Sequence, residues 1–182
     1  LNYLNKIKEK YETTTKATQD VIEDLLKNIK ALKAKPVDIK NLAPVEQVKK
    51  LTKQMDQLNI NIILKDKNKN KIKDISAKGI KIRYQLVTGF PSKELRSLID
   101  QGKKDLGEGI VVAYSVVEDK VGIAVGVTNS LTKKYNAVEL VKLGSKLIGG
   151  TGGGGRPDFA QSGGSQIDFI EKSFEAIKKS IK

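Results

Sequence analysis

The chain has 182 residues and contains no cysteine, no histidine and no tryptophan. Without histidine and cysteine it lacks the residues of a Ser-His-Asp or Cys-His nucleophile and of a typical zinc site. Lysine and arginine total 34 against 21 aspartate and glutamate, which gives a formal net charge of +13. This excess indicates a polyanionic partner such as a nucleic acid, although a solvated lysine-rich surface accounts for the same count.

Two long helices are predicted in the first part of the chain. No glycine or proline interrupts the stretch from Leu1 to Lys35. Its apolar residues fall on two heptad positions that are interrupted by polar residues in the middle, which favours a bundle helix over a dimeric coiled coil. These residues are Leu1, Leu4, Tyr11, Ile22, Leu25, Ile29 and Leu32. A second helix is predicted to start near Pro44, because proline suits the first turn of a helix. We therefore expect an antiparallel, coiled-coil-like helical hairpin.

The pattern of the sequence changes at Gly79. Before it, the lysine-rich run from Lys65 to Lys73 is typical of an exposed helix extension or a loop, and residues 59–64 fit a helix and a strand equally. After it, strands and helices alternate. We predict a helical subdomain over residues 1–78 and a globular α+β subdomain over residues 79–182.

The second part is predicted to form a mixed sheet of three or more strands with covering helices. The two strands in its middle should pair as an antiparallel hairpin, because only a short polar turn separates them. The predicted elements are a strand from Ile80 to Val87, a helix from Ser92 to Leu106, strands from Gly109 to Tyr114 and from Val121 to Val127, and helices from Ala137 to Ile148 and from Gln166 to Ile181. The predicted fold class is α+β, with an amino-terminal helical hairpin followed by this small mixed-sheet domain.

A glycine-rich segment from Gly149 to Gly164 separates the last two helices, and eight of its sixteen residues are glycine. Consecutive glycine N–H groups can form an anion-binding concavity, and Arg156 adds a planar fork of donors suited to phosphate. A flexible linker would not need the sequence Arg-Pro-Asp-Phe-Ala-Gln at its centre. The segment lacks the Gly-Lys-Ser/Thr ending of a Walker phosphate loop.

The run Gly-Gly-Gly-Gly-Arg-Pro-Asp-Phe-Ala-Gln-Ser-Gly-Gly, residues 152–164, resembles the signature near the carboxy terminus of alanyl-tRNA synthetases. The order of predicted elements from Gly79 onwards agrees with that family. The resemblance implies a domain that contacts the elbow of tRNA, bridges the aminoacylation and editing domains, and mediates dimerisation. It also implies a cytoplasmic protein whose parent uses ATP and zinc, whereas this chain carries neither site.

The resemblance implies an RNA-binding site on the glycine-rich segment and the helix before it. The candidate residues are Lys146, Thr151, Gly152, Gly153, Gly154, Gly155, Arg156 and Gln161. The implied partners are alanine tRNA, the other domains of a parent synthetase and a second copy of the chain. No membrane partner is expected, because the sequence has no apolar run of 18 residues.

Two other functions remain open at this point. The same module occurs as a nucleic-acid-binding accessory domain in DHH-type phosphoesterases, which commonly carry Gly-Gly-Gly-His where this chain has Arg156. That difference favours the synthetase family. The other function is an assembly module, in which the first helix forms a coiled coil.

Overall fold

The computed structural model describes the backbone of residues 2–182 and the side chains of Lys6 and of residues 14–182. Helix α1 spans Asn2–Ala31 and helix α2 spans Pro44–Lys65. Helix α1 ends earlier than the predicted Lys35, because the chain turns at Lys33, whose φ of 56° lies in the left-handed region. Leu1 and the side chains of Leu4 and Tyr11, which were assigned to the heptad pattern, lie outside the described part of the chain.

The first compact unit, Leu1–Ile62, contains the predicted pair of helices. Ile22 and Ile29 of α1 and Leu51 of α2 form its buried cluster, with Leu25 and Leu58 partly buried against it. Ile22, Leu25 and Ile29 belong to the apolar pattern predicted for the first helix, and the second helix starts at Pro44 as predicted. The amino-terminal helical hairpin is therefore confirmed.

The second compact unit, Ile63–Lys182, contains a six-stranded mixed sheet and three α-helices among the residues that the structure describes. The strand order is β1-β2-β3-β4-β6-β5, in which β2 and β3 are parallel and all other neighbours are antiparallel. The elements are β1 Asn70–Ala77, β2 Ile80–Thr88, α3 Leu95–Leu106, β3 Ile110–Val117, β4 Lys120–Val127, α4 Ala137–Leu147, β5 Gly153–Arg156, β6 Phe159–Gly164 and α5 Ile170–Ser180. Short 3₁₀ turns at residues 92–94, 129–131 and 167–169 precede other elements. The predicted α+β class is confirmed.

Strand β1 is an element that the sequence pattern did not predict. It pairs along its whole length with β2 through a two-residue turn, Lys78-Gly79, in which both residues have positive φ. Such a turn matches the twist of an antiparallel hairpin. The boundary predicted between residues 78 and 79 therefore falls inside this turn.

The two faces of the sheet are covered by different helices. Helix α3 packs on one face, against β3 and β4, and we call this side the α3 face. Helices α4 and α5 pack against each other, and α4 covers β4, β5 and β6 on the opposite face. The larger apolar cluster lies on this second side and includes Tyr84, Tyr114, Ile123, Phe174 and Ile177.

Helix α3 lies unusually close to β4, because the β4 residues beneath it are small. Gly122, Ala124 and Gly126 alternate on the α3 face of that strand. A Cβ atom at Gly126 would lie 2.1 Å from Cγ2 of Ile99, and one at Gly122 would lie 2.4 Å from Oγ of Ser92. The buried contact of Ile99 with β4 therefore requires glycine at position 126.

We predict that Gly126→Ala lowers the free energy of unfolding by about 1–3 kcal/mol, the usual cost of overpacking a core. Urea unfolding followed by circular dichroism measures this loss. Gly154→Ala is the matched control, because its added Cβ would meet no atom within 4 Å. Equal stability of the two variants would contradict the close approach of α3.

An arginine ties β1, β2 and α3 together on the α3 face. Arg83 on β2 donates hydrogen bonds of 2.7 and 2.8 Å to the two carboxylate oxygens of Asp74 on β1. It donates a third, of 2.6 Å, to Asp105 on α3. Hydrogen bonding to Arg83 is the main cause that holds the pKa of Asp74 below its ordinary value, and the same arginine lowers the pKa of Asp105, with help from Gln101.

These shifts set the sign of a pH effect on stability. Carboxyl groups whose pKa is lower in the folded state stabilise the fold above their unfolded pKa, and the stabilisation is lost as the pH falls through the folded value. We predict that the free energy of unfolding declines from about pH 5 downwards, and that Arg83→Met makes this decline shallower. Arg96→Met is the control, because Arg96 and Asp100 form an exposed pair at 3.8 Å. An unchanged pH profile for Arg83→Met would contradict the assignment.

Candidate nucleic-acid interface

The glycine-rich segment, to which no strand was assigned from the sequence, forms a β-hairpin at one edge of the sheet. Strand β5, Gly153–Arg156, pairs with β6, Phe159–Gly164, through the two-residue connection Pro157-Asp158. β6 in turn pairs with β4, so that β5 is the outermost strand. Every second N–H and C=O group of an outermost strand points away from the sheet, so β5 presents backbone donors and acceptors to a partner.

Two glycines of β5 have different roles. A Cβ atom at Gly155 would lie 2.2 Å from the carbonyl oxygen of Phe159, and the φ of Gly155 is 153°, so this position requires glycine. At Gly154 a Cβ would point into open space. Gly154 pairs with Gln161, so both lie on the α3 face of the hairpin. The absence of a side chain at Gly154 leaves the backbone accessible to a ligand from this side.

Serine hydroxyl groups fix the start of the hairpin. Ser145 on α4 is fully buried, and its Oγ lies 2.7 Å from Oγ of Ser162 on β6. Both hydroxyls also lie within hydrogen-bond reach of the carbonyl oxygen of Gly152. The backbone N–H of Gly150 donates to the carbonyl oxygen of Ser145 at 2.8 Å. A chain rich in glycine loses much conformational entropy when it is ordered, and this network supplies part of the compensation.

Charged side chains surround the tip of the hairpin. Nε of Arg156 lies 3.3 Å from Oδ1 of Asp158, and Nζ of Lys103 on α3 lies 3.8 Å from Oδ2 of the same carboxylate. Lys103 also donates a 2.6 Å hydrogen bond to the main-chain oxygen of Asp158. Burial lowers the pKa of Lys103, and the positive charges of Arg96 and Arg156 lower it further, whereas Asp158 opposes this shift.

Helix α3 supplies basic residues that the sequence interpretation did not assign to the site. Cζ of Arg96 lies 5.0 Å from the ring centre of Phe159 on β6, a cation–π distance. We call Arg96, Lys103 and Arg156 the cationic rim. Lys93, Arg96 and Lys103 repeat at helical spacing beside the apolar stripe of α3, and this spacing is the signal from which they could have been predicted.

A pocket of about 330 Å³ lies between the start of this helix and β6. Ser92, Lys93 and Leu95 line one side, and Gln161 lines the other. Its volume is at the lower end of the range for ligand sites. The predicted site residue Gln161 therefore faces an open concavity that also has a lysine on its wall.

The predicted site residues do not all lie on one side of the sheet. Arg156 shares a face with Gln161, as the pairing register shows. Lys146 lies in the last turn of α4, which covers the opposite face. Thr151 and Gly152 are exposed in the turn before β5, and Gly153 points towards α4, because a Cβ there would lie 2.9 Å from Val141. A shared RNA-binding role for all eight residues stays a prediction.

The described tyrosines with shifted pKa values have structural roles. The hydroxyl of Tyr84 donates a 2.8 Å hydrogen bond to Glu171, and Oη of Tyr114 lies 2.8 Å from Oγ of Ser173. Burial is the main cause that raises the pKa of both tyrosines. Both rings belong to the larger apolar cluster. Within the described residues, no group of three or more acidic side chains is arranged to hold a metal ion.

Comparison with known families identifies the second part of the chain. The sequence model of the DHHA1 domain matches residues 79–182, which are more than half of the chain. The chain belongs to the DHHA1 domain family. This match starts at Gly79, in the β1–β2 turn, and includes α3 and the glycine-rich hairpin but not β1.

Curated proteins to which this chain is similar include alanine–tRNA ligases. The chain is 49% identical to the enzyme of Parvibaculum lavamentivorans and 45% identical to that of Hyphomonas neptunium, each over 104 residues. These matches cover 57% of this chain and 12% of each ligase. The chain therefore spans only about an eighth of the relatives' length.

A solved structure agrees with these relatives. The C-Ala domain of Aquifex aeolicus alanyl-tRNA synthetase is similar over 59% of this chain and 96% of its own, with 29% identity and a TM-score of 0.56. The resemblance to the synthetase family that the glycine motif indicated is thus confirmed. Among the described residues of this DHHA1 protein, no helix is both long enough and apolar enough to cross a membrane.

We predict that Ser145→Ala speeds amide hydrogen exchange in residues 150–156 and lowers the free energy of unfolding by about 1 kcal/mol, because a buried hydrogen-bond partner is lost. Exchange measured residue by residue by NMR tests this prediction. Ser97→Ala removes an exposed hydroxyl that bonds within its own helix region, so it is the matched control. Unchanged protection of the hairpin in Ser145→Ala would show that the serine network does not order it.

Proposed function

We propose that this chain is the tRNA-binding, elbow-recognising carboxy-terminal domain of an alanyl-tRNA synthetase. The observation that carries the proposal is the open edge of the glycine-rich hairpin beside the cationic rim. Backbone N–H groups and Arg156 are donors suited to phosphate, and Phe159 and Gln161 lie on the same face. The synthetase relatives support alanine tRNA as the RNA.

The proposed recognition reads the shape of the RNA more than its base sequence. Gly153, Gly154 and Gly155 offer no side-chain groups to read base edges, whereas their backbone can approach a sugar–phosphate chain closely. The corner of a folded tRNA brings phosphates from two loops together, and a flat strand edge flanked by cations is complementary to such a surface. Arg156, with 63% of its side chain exposed, is the member of the rim that is most available.

The parent protein would use this contact to hold alanine tRNA for aminoacylation and editing in the cytoplasm. ATP and zinc would be bound by other domains of that protein, which are proposed partners of this one. The helical unit is the proposed dimerisation element, because part of its apolar surface, at Val21, Leu32 and Val45, is exposed.

The proposal is tested by binding of the whole 182-residue chain to alanine tRNA and to the same tRNA with its D-loop–T-loop contact disrupted. We expect preference for the intact tRNA. We expect Arg156→Ala to weaken binding roughly tenfold or more, the effect of losing a charge-assisted hydrogen bond. Filter binding at two salt concentrations measures both.

Two variants sharpen this test. Lys179→Ala removes the same charge near β1, at the other edge of the sheet, and should weaken binding much less. Gly154→Ala keeps the fold but places a methyl group on the face of the hairpin, and should weaken binding. Equal binding of both tRNAs, with equal losses in Arg156→Ala and Lys179→Ala, would show that the net charge acts without this site.

A further inference from the structure

Asp158 places a negative charge inside the cationic rim. Its carboxylate lies 3.3 Å from Nε and 3.5 Å from Nη2 of Arg156, and 3.8 Å from Nζ of Lys103. Its side chain is 32% exposed, so an approaching ligand meets this charge together with that of Arg156. This carboxylate therefore offsets part of the positive potential around Arg156 and Lys103, at the site where anions are expected to bind.

The structure does not need this carboxylate to hold the hairpin in place. The main-chain oxygen of Asp158 accepts hydrogen bonds from Lys103 at 2.6 Å and from the backbone N–H of Val127 at 3.0 Å. Both bonds are available to any residue at this position. The side-chain contacts to Arg156 are long for a guanidinium–carboxylate pair, which usually has distances of about 2.7–2.9 Å. Arg156 is thus held loosely and is free to exchange partners.

We propose that Asp158 is a specificity-determining residue that weakens the binding of unstructured, single-stranded polyanions to the cationic rim. A phosphate of a flexible strand must displace the carboxylate from Arg156 and is repelled by it. A folded RNA offsets this cost, because it also contacts the backbone edge of β5 and the basic stripe of α3. Specificity arises when a site penalises the wrong ligand more than the right one. This inference rests on the proposed function of the site.

The test compares Asp158→Asn with Asp119→Asn. Asp119 is exposed in the β3–β4 turn, so its replacement changes the net charge equally at a different place. The ligands are single-stranded poly(U) and alanine tRNA, measured at the same salt concentration. Asp158→Asn is expected to raise the affinity for poly(U) several-fold above that of Asp119→Asn, and to raise the affinity for tRNA less. The ratio of tRNA to poly(U) affinity therefore falls.

A second comparison places the effect on Arg156. In a chain that carries Arg156→Ala, Asp158→Asn should raise poly(U) affinity much less than it does when Arg156 is present, because only the direct repulsion of the phosphate by the carboxylate is then relieved. A retained full effect would overturn the proposal, since the carboxylate would be acting elsewhere.

Three further results would overturn the inference: equal poly(U) affinities of Asp158→Asn and Asp119→Asn, an unchanged affinity ratio, or weaker tRNA binding by Asp158→Asn. The last result would mean that the carboxylate contacts the RNA or orients Arg156 for it. Thermal unfolding verifies that both variants fold. Failure of the proposed function looks different, because the unmodified chain would then show no preference for intact tRNA.

Discussion

The direct contact of α3 with β4 is the constraint on which the geometry of the candidate site depends. Small residues on β4 let Ile99 fill the space that side chains would otherwise occupy. The side of α3 that carries Arg96 and Lys103 therefore lies close to the sheet and next to the hairpin. A helix displaced outwards by a larger residue on β4 would lift Arg96 away from Phe159 and Lys103 away from the hairpin tip. The packing of the core and the positions of the charged groups at the site are therefore linked through Gly122 and Gly126.

The glycine-rich hairpin shows how an entropically costly segment is made rigid. Three of the four residues of its outer strand are glycines, which have no side chain to pack, and this strand has only one neighbouring strand. Order comes from its surroundings: the serine network at its start, and the anchoring of its tip by Lys103 and β4. A site ordered before binding avoids the entropy cost of ordering upon binding. Such a segment suits recognition of a rigid corner of RNA, which also changes little in shape.

The sequence predicted elements with a clear apolar pattern and missed those without one. The stripes of α1 and α2, the buried strands β3 and β4, and the stripe of α3 all alternate or repeat as expected. Strand β1 was not predicted because it is an edge strand whose Lys71 and Lys73 are exposed. Apolar and polar residues therefore do not alternate regularly along it. Strands β5 and β6 were missed because glycine has low strand propensity. The pairing of β6 with β4 and of β5 with β6 overrides that propensity. The Arg156 contacts follow from local sequence, whereas Arg96 and Lys103 are more than fifty residues away and join the site only through the packing of α3.

The net charge of +13 and the cationic rim act at different ranges. Lysines spread over the whole chain attract any polyanion and accelerate encounter, an effect that salt screens and that carries no information about shape. In the proposed binding mode, the hairpin edge, Phe159 and Arg156 respond to the arrangement of the phosphates only at contact. A strongly basic chain with no acidic group at its binding site would bind unstructured polyanions almost as tightly as a folded RNA. In our proposal Asp158 decides this difference, because it contacts Arg156 at short range and leaves the long-range attraction nearly intact.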